Sequence, residues 1–125
     1  MSQINKKVLI VEDDKDFLWI LKQNFGNKNL SVLYATDGEE GLAMSEKEKP
    51  DLIIIDILLP KMDGITMAKK IKEKGIKSQI IFLTNLMDPE HISKALEAAG
   101  EVDYFVKADT HIDTIVSRVK SKLGI

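Results

Sequence analysis

Short runs of consecutive apolar residues alternate along this chain with longer stretches whose apolar positions recur every three or four residues. The runs are Val8 to Val11, Val32 to Ala35, Leu52 to Ile55, Ile80 to Leu83 and Tyr104 to Val106. Apolar neighbours bounded by polar ones read as strands buried on both faces, the kind that parallel sheets contain. The stretches between them carry helix periodicity and end signals. Phe17, Leu21 and Phe25 fall four residues apart, with Asp14 and Asp16 where an acceptor and a negative charge favour a helix start. Asp37 and Glu40 have the spacing of a capping box. Asp63 is placed to cap a third helix, and Gly75 to end it in the left-handed conformation. Asp88-Pro89 marks another start, since proline suits the first helical position, and Gly100 marks that helix's end. Ile112, Ile115, Val116, Val119 and Leu123 share one face of a last helix. This alternation predicts five βα units, a parallel sheet covered by helices.

Composition narrows the picture without changing it. A chain of 125 residues, 44% hydrophobic and 30% charged, is expected to form one globular domain over 1–125 with a real core. A net charge of −2 points to neither nucleic acid nor an anionic membrane. Cysteine is absent, which excludes disulfides and thiolate metal sites and fits a reducing compartment. No apolar run approaches the ~20 residues of a membrane span. Met1 to Lys7 is polar and lacks the apolar core of a secretion signal, so a cytoplasmic location is the expectation.

The candidate chemistry lies at strand ends. Val8 to Val11 runs into Glu12-Asp13-Asp14, and Leu52 to Ile55 runs into Asp56. If both strands are parallel, their carboxyl ends share the edge where open α/β sheets bind ligands. Acids gathered there repel one another unless a cation sits among them, and oxygen ligands suit a hard divalent ion such as magnesium. Each residue alone has a plainer reading. Asp56 starts a turn, Asp14 caps a helix, Thr84 is a strand threonine and Lys107 a solvated lysine. His91 and His111 lie at helix starts, far from the acids in sequence, and read as surface residues. Trp19 falls off the apolar stripe of its helix and is assigned no role. A glycine-rich phosphate loop is missing after the first strand, which disfavours a nucleotide or flavin binder.

Taken together and in order, the acid pair, the segment Asp56-Ile57-Leu58-Leu59-Pro60-Lys61-Met62-Asp63-Gly64, Thr84 and Lys107 closely resemble the receiver domain of two-component response regulators, the CheY-like family. The resemblance runs from Lys7 to about Leu123. It implies a doubly wound five-stranded parallel sheet with five helices, the (βα)5 flavodoxin-like receiver fold. It also implies that Asp56 accepts a phosphoryl group from a sensor histidine kinase or a histidine phosphotransfer protein. Glu12, Asp13, Asp56 and the main-chain carbonyl of Leu58 would hold Mg2+. Thr84 would bond a phosphoryl oxygen, Lys107 would pair with the phosphoryl group, and Tyr104 would be the aromatic that moves with Thr84. A downstream protein or output domain would bind through residues about 89–123. Such a chain is a phosphoacceptor that takes part in its own phosphotransfer and dephosphorylation, not an enzyme in the ordinary sense. The residue types suit the task, because carboxylate attack on phosphorus brings anion against anion and needs positive charge close by.

The chain departs from the family pattern after Thr84 and after Lys107. Ala108 stands where the family usually has proline joined through a cis bond. Cis before alanine costs about 3–4 kcal/mol, so either that bond is present or a trans peptide sends the loop along another path. Asn85 stands where a small residue is usual, and it either narrows access to the site or adds a hydrogen bond. Leu58 and Leu86 flank the site, and two apolar side chains there are expected to hinder an attacking water and slow self-dephosphorylation. The rival readings are a receiver-fold interaction module that works without phosphorylation, and an aspartyl-phosphate phosphatase. The second is disfavoured because such enzymes usually place another aspartate two residues after the nucleophile, and here that residue is Leu58.

Overall fold

The structure is a computed structural model, and it describes residues 5–26, 29–100 and 102–125. Among them, five strands form one sheet: β1 (Lys6–Val11), β2 (Leu30–Ala35), β3 (Leu52–Ile55), β4 (Gln79–Thr84) and β5 (Asp103–Val106). The spatial order is β2-β1-β3-β4-β5, and every neighbouring pair is parallel. Five helices connect and follow them: α1 (Lys15–Asn24), α2 (Gly38–Glu48), α3 (Gly64–Glu73), α4 (Pro89–Ala99) and α5 (Ile112–Leu123). The five βα units are those that the alternation predicts, and their order is the doubly wound (βα)5 sheet that the resemblance implies.

The continuous apolar runs have a direct cause. Successive side chains of a strand point to opposite faces, and in the central strands β1, β3 and β4 both faces are covered. Val8, Ile10, Leu52, Ile54, Ile81 and Leu83 meet α1 and α5 through Leu18, Leu21, Ile115 and Val119. Leu9, Val11, Ile53, Ile55, Ile80 and Phe82 meet α3 and α4 through Met67, Ala68, Ile71, Ala95 and Ala99. The edge strands depart from the expected burial: β2 is half-buried over much of its length, with Tyr34 48% exposed, and β5 is half-buried throughout. Trp19 is 63% exposed, in keeping with its place off the α1 stripe. No helix among the described residues is long and apolar enough to cross a membrane.

Four helices begin on an aspartate whose carboxylate accepts a backbone N–H: Asp14, Asp37, Asp63 and Asp88. Each satisfies a donor that the first helical turn leaves unpaired. The fifth helix is capped differently, by the His111 ring nitrogen accepting from the Asp113 amide. That gives the histidine a structural role beyond the surface position expected of it. Gly75 (φ +72°) follows α3 in the left-handed region, as expected, and Gly100 closes α4.

Two features position the site. The chain moves from β1 outward to β2, then returns to β3 on the other side of β1, which opens a crevice at the carboxyl ends of β1 and β3. Gly64 then lets α3 begin directly against the end of β3. Its amide donates to the Ile57 carbonyl at 2.9 Å, and an added Cβ would overlap the Asp56 carbonyl oxygen. The Lys107–Ala108 peptide is trans, and Lys107–Asp109 winds into a single 3-10 turn.

The contact at Gly64 yields a prediction. Gly64→Ala should lower stability by about 1–3 kcal/mol, the usual cost of forcing extra volume into a packed site. Gly26→Ala, at a position with open space around it, should change stability by well under 1 kcal/mol. Urea unfolding of the two variants beside the parent chain measures the difference, and equal midpoints would refute the packing argument.

Candidate functional site

The strands deliver Glu12, Asp56, Thr84 and Lys107 to one edge. Val11 pairs with Ile55, Ile55 with Phe82, and Thr84 with Val106, so the four carboxyl ends emerge together. Glu12 and Asp56 stand just past their strands, yet the sheet still holds them. The Glu12 amide donates to the Ala35 carbonyl at 3.0 Å, and the Asp56 amide to the Val11 carbonyl at 3.1 Å. Both acids are buried, with 2% and 6% of their surface exposed, whereas Asp13 is exposed. One carboxylate oxygen from each of Glu12, Asp13 and Asp56 lies within 4.8 Å of the others. The cluster has all-oxygen donors and suits a hard divalent cation.

Lys107 meets this cluster from β5. Its ammonium donates to Asp56 Oδ2 at 2.9 Å and pairs with Glu12 Oε1. The remaining oxygens are satisfied by backbone: Asp56 Oδ1 accepts from the Leu58 amide at 3.2 Å, and Glu12 Oε2 from the Asp14 amide at 3.1 Å. The Phe17 ring lies 4.6 Å from the Lys107 ammonium, a cation–π contact. Phe17 reads in the sequence as one more residue of the α1 core stripe. Its only other signal is its place in the first turn after an acid-rich strand end.

Burial sets the electrostatics. It pushes the Glu12 carboxyl up to about 7; the Lys107 hydrogen bond opposes this and the Asp56 charge adds to it. Burial pulls the Lys107 ammonium the other way, but its bonds to Glu12 and Asp56 outweigh that and hold it above the ordinary lysine value.

Thr84 is fully buried, and its hydroxyl accepts from the Leu86 amide at a long 3.5 Å. Tyr104 donates its hydroxyl proton to the Leu86 carbonyl at 2.7 Å, and its ring packs against Phe82. Asn85 does make a hydrogen bond, with Oδ1 accepting from the Ala108 amide at 3.1 Å. Leu58 is 59% exposed at the mouth of the site, and Leu86 is half-buried. His91 bonds Asp88 at the start of α4, and neither histidine belongs to the carboxylate cluster.

A doubly wound parallel sheet with an acid cluster and a lysine at its switch point defines a class of flavodoxin-like domains. Residues 8–120 match the family model described as response regulator receiver domain. The chain is 38% identical over 105 residues to the alkaline phosphatase synthesis transcriptional regulatory protein PhoP of Bacillus subtilis, covering 83% of this chain and 43% of that one. It is 35% identical over 115 residues to the probable C4-dicarboxylate response regulator DctR of the same species, covering 86% and 48%. The chain thus spans less than half the length of either regulator. Among solved structures, the receiver domain of Francisella response regulator 1452 superposes with a TM-score of 0.86 at 31% identity, covering 96% of this chain and 98% of that one. CheY of Borrelia burgdorferi, in a complex with CheX, BeF3 and Mg2+, superposes with a TM-score of 0.84 at 28% identity, covering 96% and 90%. The chain belongs to the response regulator receiver family of two-component systems.

The Glu12 environment predicts a pH dependence for the metal-free protein. With a folded value of about 7 against 4.5 for the free group, folding takes up a proton between those two limits. Stability should therefore be greatest below pH 4.5 as far as this group is concerned. It should fall as pH rises toward 7 and level off above, by at most about 3 kcal/mol. Urea midpoints of the parent chain and Glu12→Gln, taken from pH 5 to 8, check this. The parent should lose stability relative to the variant across that range, and parallel curves would contradict the assignment.

Proposed function

We propose that Asp56 is the phosphoacceptor of a two-component phosphorelay, and that residues 1–125 act as one receiver unit. An Asp56 oxygen bonds to phosphorus as the phosphorus–nitrogen bond of a donor phosphohistidine breaks. The electron pair stays on the imidazole nitrogen, which takes up a proton, and an acyl phosphate remains on Asp56. The donor is a sensor histidine kinase or a histidine phosphotransfer protein.

One observation carries this reading: a buried carboxylate at the sheet's switch point is bonded by a lysine ammonium beside two further acids. Lys107 holds one Asp56 oxygen in place and can pass its bond to a phosphoryl oxygen. The Thr84 hydroxyl oxygen accepts only a long contact from the Leu86 amide, and its O–H can donate to another phosphoryl oxygen. Glu12, Asp13 and Asp56, with the Leu58 carbonyl, suit magnesium by donor type. When bound, the ion would offset the negative charge that gathers as donor and acceptor meet. The BeF3 and Mg2+ of the Borrelia relative support the same assignment.

The Tyr104 hydroxyl already bonds the loop after Thr84, so a shift of Thr84 reaches Tyr104 and the segment around 89–123. That segment presents the partner or output domain with a changed surface, through a population shift between two packings. The name of the Bacillus PhoP relative favours transcriptional control as the output of a longer regulator.

Intact-mass spectrometry after incubation with magnesium and acetyl phosphate tests the proposal, with Asp56→Ala alongside. A single phosphoryl adduct of about 80 Da is expected, absent from the variant and from samples without magnesium. If neither acetyl phosphate nor a phosphohistidine donor gives an adduct, the reading fails and a phosphorylation-independent interaction module takes its place.

The exposed Leu58 side chain adds a kinetic expectation. Two residues past Asp56, it would flank the path of an attacking water, so the acyl phosphate should last minutes rather than seconds, and Leu58→Asn should shorten its life. Decay of the adduct after donor removal measures both. A lifetime of seconds in the parent chain would count against the shielding role.

A further inference from the structure

We propose that Asn85 is a positioning residue: its side-chain carbonyl clips the loop after Thr84 to the turn carrying Lys107, and so fixes where Lys107 stands beside Asp56. Where it speaks of reaction rate, this inference rests on the phosphoacceptor reading above.

The argument begins with an unsatisfied donor. A 3-10 turn, like any helix, leaves its first N–H groups without partners inside the turn. Lys107–Asp109 is such a turn, and Val106 before it supplies no side-chain cap. The missing partner comes from elsewhere in the chain, as Asn85 Oδ1 accepts from the Ala108 amide at 3.1 Å across 23 residues. The register explains how these groups meet. Thr84 pairs with Val106, so the residues that follow, Asn85 and Lys107, leave the sheet side by side.

A second tie runs parallel to the first. Tyr104 donates to the Leu86 carbonyl at 2.7 Å, so residues 85 and 86 are bound to residues 108 and 104, on either side of Lys107. The backbone of Lys107 is bracketed by these bonds, and its ammonium is held by Glu12 and Asp56. A lysine stem has four flexible carbons, and fixing its base narrows the positions its tip can take. The clip also makes the loop bearing Asn85 and the turn bearing Lys107 a single body. Residue 108 must have an N–H for this to work, and alanine supplies one where proline would not.

The test compares the parent chain with Asn85→Ala, which removes the acceptor, and Asn85→Asp, which keeps one. The first arm uses neither metal nor donor. In Asn85→Ala the Ala108 amide should exchange about fivefold to tenfold faster, the equivalent of one lost hydrogen bond. The ammonium protons of Lys107 should also exchange faster, while the Ile54 and Phe82 amides stay unchanged. Asn85→Asp should resemble the parent. The second arm measures adduct formation with magnesium and acetyl phosphate. Asn85→Ala should lower the rate at saturating donor by about threefold to tenfold. Asn85→Asp should keep that rate but need more donor, because its charge repels the anion.

Unchanged exchange at Ala108 or at the Lys107 ammonium in Asn85→Ala overturns the proposal. So does an unchanged or faster saturating rate, the faster one marking Asn85 as a steric gate. If the parent chain takes no phosphoryl group from any donor, the phosphoacceptor reading fails by itself. The exchange arm then still decides whether Asn85 places Lys107.

Discussion

The bond between the Lys107 ammonium and the carboxylates of Asp56 and Glu12 is the interaction on which the rest of the site depends. The sheet brings one acid past β1 and another past β3, and the crevice between those strands leaves them nowhere to separate. Two unit charges 4 Å apart near a protein surface interact by about 4 kcal/mol, enough to oppose folding noticeably if nothing offset it. One ammonium shared between two buried carboxylates supplies that offset, and backbone amides satisfy the oxygens it leaves over. The offset is incomplete, because one positive charge meets two buried acids and the exposed carboxylate of Asp13. Burial is the main cause of the raised Glu12 value, and the Asp56 charge that Lys107 does not fully offset adds to it. A site short of positive charge has room for a further cation, which is why the donor chemistry and the electrostatics agree.

Much of this could be read from residue order because the signals are local. β1 and β3 appear as unbroken apolar runs since both of their faces are covered, and the acids that end them follow in the next position. The aspartate caps are equally local, as each bonds an amide two or three residues ahead. Gly64 belongs to the segment that carries the resemblance, but its close approach to the Asp56 carbonyl emerges only in the folded chain.

What the residue order hides is contact between distant segments. Phe17 follows the same four-residue spacing as Leu21 and Phe25 and packs against the core as that spacing implies, but nothing in its position shows that its ring also faces the Lys107 ammonium. The ring nitrogen of His111 caps α5, a task for which aspartate and serine are the usual signals. Asn85 and Ala108 each look like a lone departure from the family pattern, one polar where a small residue is usual and one lacking the ring of proline. The structure turns them into one feature, an acceptor and the donor it needs. Neither substitution carries that meaning alone, since pairing across two loops depends on a register that only the folded sheet supplies.

On the proposed reading, the resting contacts resemble those that phosphorylation would demand. Lys107 already touches the oxygen next to which a phosphoryl group would be attached, so its charge need not travel far to meet the incoming one. A compact ammonium on a flexible stem suits such an exchange better than a planar guanidinium, whose paired donors would favour a single bidentate partner. Thr84 contributes by being weakly engaged: a 3.5 Å contact costs little to break, and a buried hydroxyl gains much from a charged acceptor. The resting state therefore resists change mainly in the loop beyond Thr84, where Tyr104 and Ala108 both bond to it. A force applied at Thr84 pulls on β5 and its following turn together, because those two bonds leave the loop no independent path. On the same reading, the cost of switching would lie in how those loops repack, and the phosphoryl contacts would supply the differential free energy that offsets it.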